Sequence, residues 1–364
     1  MWKGKNSFRA ERNPAPVRPA RSPMGCWGWY AVVVVIVVAL TWDAVWAASV
    51  RVEDFRGKTI VLPQPARRIV CLIESALSGL YMLGVKDRVV GVPRSVYQGA
   101  VRPYYEALDD RIRNGTLAAP GNWDFINMES VVALKPDLVV LWAHQSEAVQ
   151  ALERRGLAVF GVFIERFEDV HREMRALGIL TGTAERAEAL IGLAEEEKRW
   201  VRDYVHSLGK SNRPSVYFMW AQGDLETSGG TSTVNELLEA AGGRNVFGHL
   251  PREHLVVHRE SLLQADPEVI VMWVNEARDP AHILTDPRWR FVRAVREGRV
   301  HELPDIFTSD LWTLKYPLAI LTVASWLHPD AFPDTDLKGR RMAFLEKLYG
   351  SSTVARVAIH GFSD

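Results

Sequence analysis

The chain has 364 residues, 48% of them hydrophobic, enough to bury one large core or two ordinary ones. Its 44 basic side chains balance 44 acidic ones, so nothing in the charge calls for a nucleic-acid partner. Two cysteines exclude a disulfide framework, and Cys26 precedes the first apolar run rather than following it, the wrong side for a lipid-attachment cysteine.

Lys3, Lys5, Arg9, Arg12, Arg18 and Arg21 lead into an apolar run from Trp27 to Trp42, followed by Val45-Trp46-Ala47 as a small-residue cleavage site. This is the three-part pattern of a secretory signal over residues 1–47. The run is shorter than the roughly 20 residues that span a bilayer, and an uncleaved anchor is the alternative. Cleavage would leave a mildly acidic protein with Cys71 as its one cysteine.

After a short leader, Arg68–Ile73 reads as a buried strand, Ala76–Leu83 as its helix closed by Gly84, and Val89–Val92 as a second strand. A loop carrying Arg94, Tyr97, Tyr104 and Tyr105 follows, then the loop Ala119–Phe125. Strand Leu138–Trp142, helix Glu147–Arg155, strand Ala158–Phe163 and helix Phe167–Leu180 complete a first lobe over residues 48–182.

Thr183 to Leu208 contains no proline and places Ala187, Leu190, Ile191, Ala194, Val201, Tyr204, Val205 and Leu208 on one helical stripe. Thr183 serves as N-cap and Gly209 as stop, giving a connecting helix over 183–209 about 35–40 Å long at ~1.5 Å per residue. Its run Glu195-Glu196-Glu197-Lys198-Arg199 reads as a solvated face.

The second lobe, residues 210–350, opens with a linker to Pro214 and strand Ser215–Trp220. A glycine-rich loop Glu226–Thr233 and helix Val234–Ala241 come next. Helix Trp289–Glu297, strand Arg299–Leu303, a loop Pro304–Tyr316, helix Pro317–Leu327 and helix Lys338–Tyr349 complete it, and residues 351–364 are a tail. Strands alternating with helices predict an α/β fold with mostly parallel sheets.

Two segments repeat without a gap. Asn127–Trp142 reads NMESVVALKPDLVVLW and His258–Trp273 reads HRESLLQADPEVIVMW, matching Glu129 with Glu260, Pro136 with Pro267, Asp137 with Glu268 and Trp142 with Trp273. Each copy is a short helix, a proline-marked turn, a branched strand and a terminal tryptophan. The pattern therefore predicts two similar lobes, one on each side of the long helix.

Ligands of open α/β sheets sit beyond the carboxyl ends of the strands. Tyr97, Trp123, Trp142 and His144 of the first lobe, and Trp220, Trp273, Phe307, Trp312 and Tyr316 of the second, are placed there and offer broad apolar faces to a large planar ligand. The SGGTST loop lacks a Walker lysine and reads as a tight turn. No catalytic elbow or metal-binding histidine pair is present, and His254 with His258 reads as a surface pair. Glu129 and Glu260 each fall in a helix's first turn, where a carboxylate meets the positive end of the dipole. There they could also present paired acidic contacts to a basic partner.

Together these segments resemble the periplasmic binding proteins for ferric siderophores, haem and vitamin B12 that feed ABC importers. The likeness lies in RIVCLIESALSGLYMLGVKDRVVGV, WDFINMESVVALKPDLVVLW, ETSGGTSTVNELLEAAGGRNVF and WLHPDAFPD, and covers nearly all of the chain after the signal. The resemblance implies two Rossmann-like lobes, a rigid connecting helix and a ligand held between the lobes. It places Tyr97, Trp123, Trp142, Trp220 and Trp312 at pocket positions and Glu129 at a glutamate that docks to a permease arginine. A second docking carboxylate is expected shortly before Tyr316-Pro317, where Asp310 is the nearest acid. The usual Thr-Glu pair of the first helix is Leu77-Ser78 here.

The expected function is that of an exported, monomeric, non-enzymatic binding protein without a resident cofactor. It would deliver a metal chelate, with ferric siderophore first, to an inner-membrane permease. Arg94 would meet the chelate's acidic groups. Corrinoid is the second ligand and haem the third, with His144 or Tyr316 as axial ligand. An enzyme on the same fold, or a membrane-tethered sensor, are the readings from other classes.

Overall fold

The computed structural model describes residues 49–207, 213–274, 277–332 and 336–351. The signal segment, Gly209 and the tail beyond Ser351 lie outside the described residues. The leader is a hairpin of β1 (Val50–Glu53) and β2 (Thr59–Leu62). Then follow β3 (Ile69–Cys71), α1 (Glu74–Met82), β4 (Val89–Pro93), α2 (Arg102–Leu108), α3 (Asp110–Arg113), β5 (Ala118–Gly121), α4 (Met128–Ala133), β6 (Leu138–Trp142), α5 (Ser146–Glu153), β7 (Val159–Val162) and α6 (Phe167–Thr181). Tyr104 and Tyr105, expected in a loop, belong to α2 and are buried. The five strands β3 to β7 form one sheet in the order β5-β4-β3-β6-β7, with every pairing parallel.

α7 (Ala184–Ser207) is the predicted connecting helix. Ala187, Leu190, Ile191, Ala194, Val201 and Val205 are buried as the stripe requires, whereas Tyr204 is partly exposed and stacks on Trp200. The Thr183 hydroxyl is hydrogen-bonded to that of Thr181 at 2.8 Å.

Beyond it come β8 (Ser215–Met219), β9 (Glu226–Thr227), α8 (Thr233–Ala240), β10 (Arg244–Asn245), β11 (Leu255–Val256), α9 (Arg259–Ala265), β12 (Val269–Met272), α10 (Pro280–Thr285), α11 (Arg293–Arg296), β13 (Val300–Glu302), α12 (Tyr316–Leu327) and α13 (Leu337–Tyr349). The second parallel sheet has the order β10-β8-β12-β13, and β9 pairs with β11 in a small ladder.

The charged run of α7 is not a wholly solvated face. Glu195 pairs with Lys198 at 2.6 Å and accepts from the Tyr316 hydroxyl at 3.2 Å, while the Glu197 carboxylate holds Arg340 of α13, one contact being 3.0 Å. Half of the run therefore fastens α7 to α12 and α13. α7 is thus held against α12 and α13 as well as against α6.

The sequence repeat is a structural repeat. Lys135 and Asp266, eight residues after the paired starts Asn127 and His258, both take left-handed backbone, with φ of 47° and 36°. Asp137 accepts from the backbone N–H groups of Arg67 and Arg68 at 2.7 and 2.9 Å, at the entrance to β3. Glu268 accepts from Ser215 N at 2.8 Å at the entrance to β8. In each lobe one carboxylate therefore ties two neighbouring parallel strands in register.

Candidate functional site

The carboxyl ends of β3, β4, β5, β6 and β12, and the segment between β13 and α12, converge on one cavity of ≈ 220 Å³. Its walls are Trp123 and Trp142 from the first lobe with Trp273 and Trp312 from the second, and Leu72, Ile73 and Ile306 add apolar surface. Its polar lining is Glu74, Ser75, Ser95, Asn122 and Asp310.

The two tryptophan walls are built differently. Trp273, 8% exposed, lies 5.3 Å from Trp220 and 5.6 Å from Trp312, ring centre to ring centre, and Trp220 is stacked at 6.2 Å on Trp312. The Trp220 indole donates to Ser228 Oγ at 2.9 Å, which fixes the stack. Trp142 is half-buried and its ring neighbour is His144, 6.1 Å away. Trp123 is 65% exposed at the rim.

The predicted site residues thus divide. Trp123, Trp142 and Trp312 line the cavity, whereas Trp220 stands behind Trp273 and Trp312 and supports them. Tyr97 is set back, its hydroxyl donating to Leu117 O at 2.9 Å. Arg94 is exposed and not part of the lining, although its neighbour Ser95 is. His144 is exposed and lines an outer groove that shares Trp123 with the cavity. Tyr316 is fully buried, stacked on Phe167 at 4.0 Å and hydrogen-bonded to His171 and Glu195, because α12 begins inside the core.

Rather than an exposed docking acid, Asp310 is a floor residue of the cavity, 3.6 Å from the Nζ of Lys315. Lys315 is itself buried over the ring of Phe307 at 3.6 Å. Burial pushes the Asp310 carboxyl upward and the Lys315 amine downward, each attraction only partly opposing that shift. The surface acids at matching positions are Glu129 and Glu260, both exposed in the first turns of α4 and α9.

Sequence reasoning missed Glu74, Ser75, Ser95 and Asn122. Glu74 is the first residue of α1, and burial raises its carboxyl, with Ser95 drawing it back. Glu74 Oε1, Ser75 Oγ and Asn122 Oδ1 are buried with no protein partner. A usable signal was present: Glu74-Ser75 fills the first strand-to-helix turn, the position where such sheets place ligands. Beneath the floor Glu173 of α6, 1% exposed, is raised to about 8 by burial and by the nearby Asp310.

The glycine-rich loop does not cradle an anion. Gly229 N–H donates to Arg252 O at 3.0 Å and Gly230 N–H to Leu250 O at 2.7 Å, so both amides are used within the fold. A Cβ on Gly229 would lie 2.2 Å from Leu250 O, which explains the glycine as a close backbone approach. His254 pairs with Glu226 at 2.5 Å, and His258 stands just before α9 without a side-chain cap bond, so the two histidines are not on one helix. Among the described residues no group of three or more His, Cys, Asp or Glu could hold a metal ion, and no helix is long and apolar enough to cross a membrane.

A sequence profile described as periplasmic binding protein matches residues 69–306. An uncharacterised ABC transporter substrate-binding lipoprotein of Bacillus subtilis is 23% identical over 297 residues, 78% of this chain and 87% of the relative. A cobalamin-binding protein of Halobacterium salinarum is 28% identical over 229 residues, 62% of this chain and 58% of the relative. The structure of the molybdate-binding protein MolA of Haemophilus influenzae, bound to molybdate, superposes with a TM-score of 0.70 at 20% identity. It covers 82% of this chain and 97% of MolA, a likeness of fold.

Proposed function

The chain belongs to the periplasmic binding protein family, and we propose that it is an exported carrier that captures a bulky metal chelate between its lobes and hands it to an ABC importer. One observation carries this reading: tryptophans at repeat-equivalent positions, Trp142 and Trp273, face one cavity from opposite lobes. A volume of ≈ 220 Å³ accommodates the inner edge of such a ligand, and the rest would lie at the open rim beside Trp123.

Ferric siderophores are one class of chelate that such a cleft could take. A corrinoid is favoured by a specific observation, four indoles lining the same cavity as the unpaired Glu74 Oε1, Ser75 Oγ and Asn122 Oδ1, and by the cobalamin-binding relative. Haem loses support, because His144 is outside the cavity and Tyr316 is engaged in the core. Glu129 and Glu260 serve as the paired acidic contacts to the permease, since α4 and α9 present them alike on the two lobes. The connecting helix α7 restricts ligand capture to a small closure.

The test is Trp142→Ala, read by fluorescence quenching with the ligand identified by mass and absorbance after co-purification. Affinity is expected to fall by about 1–3 kcal/mol with the fold intact. Unchanged affinity would remove Trp142 from the binding surface.

A further inference from the structure

The floor of the cavity is rich in acceptors and short of cations. Glu74 and Asp310 both face it, and the nearest ammonium, Lys315, has a side chain 1% exposed and is turned to Asp310 and to the ring of Phe307. No Arg, Lys or His is among the described residues that line it. Two acidic side chains beside one buried ammonium leave carboxyl oxygens, and no lining cation, at the bottom of the cavity. Around them stand the indoles of Trp123, Trp142, Trp273 and Trp312, a ring type whose π-face attracts cations.

The unpartnered atoms point the same way. Ser75 is 7% exposed and its Oγ has no protein partner, and Glu74 Oε1 and Asn122 Oδ1 are equally shielded and unpaired. Buried polar groups are ordinarily paired within the fold, so three orphans around one cavity mark a surface held ready for a ligand. Of the three, the carboxylate and the amide oxygen can only accept.

We infer that the cleft selects a chelate whose inward edge carries positive charge or N–H donors, with Glu74, Ser75 and Asn122 as the selecting residues, and turns away anionic chelates and oxyanions. This rests on the reading of the cleft as the binding site. An anion seated there would meet Glu74 and Asp310 with no Arg, Lys or His among the described lining residues. A cationic or carboxamide-fringed chelate would instead replace the missing donors and cover the indoles with its flat face.

The experiment titrates the exported protein with three probes: diaquacobinamide, which is cationic and fringed with carboxamides, a trianionic ferric tris-catecholate, and molybdate. Cobinamide should bind at least tenfold tighter than either anion. Glu74→Gln should narrow that preference about fivefold. Ser75→Ala should weaken cobinamide two- to tenfold while the melting temperature holds or rises, since the hydroxyl removed has no partner in the fold; a purely structural serine would not divide the two readouts in this way. Equal or tighter binding of an anion, a preference unmoved by both variants, or failure of cobinamide to bind overturns the inference. Trp142→Ala tests the underlying reading separately. If it weakens an anion that the protein prefers, the cleft stands and the charge selection falls. If it leaves every bound probe untouched, the ligand is not in the cleft and both fall.

Discussion

The two lobes carry the same helix-turn-strand unit and finish it with tryptophans of different character. Trp273 packs obliquely against Trp220 and Trp312, which stack on each other, and Trp220 is hydrogen-bonded to Ser228. Trp142 is half-buried, and Trp123 beside it is mostly exposed. A repeated backbone has thus been given one fixed wall and one adjustable wall. A fixed wall lowers the entropy lost when a ligand is seated, and an adjustable one lets the rim fit what protrudes.

The difference can be broken at its stiff end first. Trp273→Ala empties a site packed on two sides by indoles and should destabilise the protein by about 3–5 kcal/mol, as large-to-small changes of buried aromatics do. Trp142→Ala should lower stability by less than half of that, because the ring is already partly in water. Denaturant unfolding of the two variants gives the comparison directly, and equal losses would show that the walls are equally rigid.

The lobes also divide the charge beneath the cleft, the first supplying Glu74 and Glu173 and the second Asp310 and Lys315. Glu173, raised to about 8, is held mostly neutral at pH 7. Its folded value lies above the unfolded one of roughly 4.5, so its contribution to stability is complete below pH 4.5 and is lost as the pH rises through 8. Glu173→Gln should therefore match the wild type near pH 4.5 and exceed it near pH 8.5, by about 4–5 kcal/mol. Thermal melts across that range measure the gap, and a gap independent of pH would exclude a buried neutral carboxyl.

How much of this was legible depended on whether the signal was local. The parallel sheets, the connecting helix and the repeat were readable because proline, branched runs and the matched Glu-Ser and Trp positions act within one unit. Trp123 and Trp142 were readable as aromatics at or just beyond a strand end, and Trp312 as an aromatic of the loop leading into α12. Glu74-Ser75 was overlooked because polar residues opening a helix look like ordinary caps, and their lack of partners appears only in three dimensions. Asp310 was misplaced on the surface and Tyr316 in the cleft for one reason. The loop leading into α12 turns inward, so that Lys315 is buried over Phe307 and Tyr316 is packed between α6 and α7, contacts made over long sequence separations.

The smallest expected effect compares the repeat with itself. Lys135 and Asp266 occupy matching left-handed positions, where glycine is free of the Cβ crowding that a larger residue meets. Lys135→Gly should stabilise by about 0.5–1 kcal/mol, the relief of strain exceeding the entropy gained by the unfolded chain. Asp266 differs in that its carboxylate accepts from Arg293 N at 2.6 Å and lies 3.5 Å from Arg296, joining the turn to α11. Asp266→Gly relieves the same backbone but strands that N–H, so it should be neutral or destabilising. Melting temperatures of the two variants separate the cases. A gain at both positions would mean that the Asp266 contact contributes little, and the two turns would then be alike in energy as well as in shape.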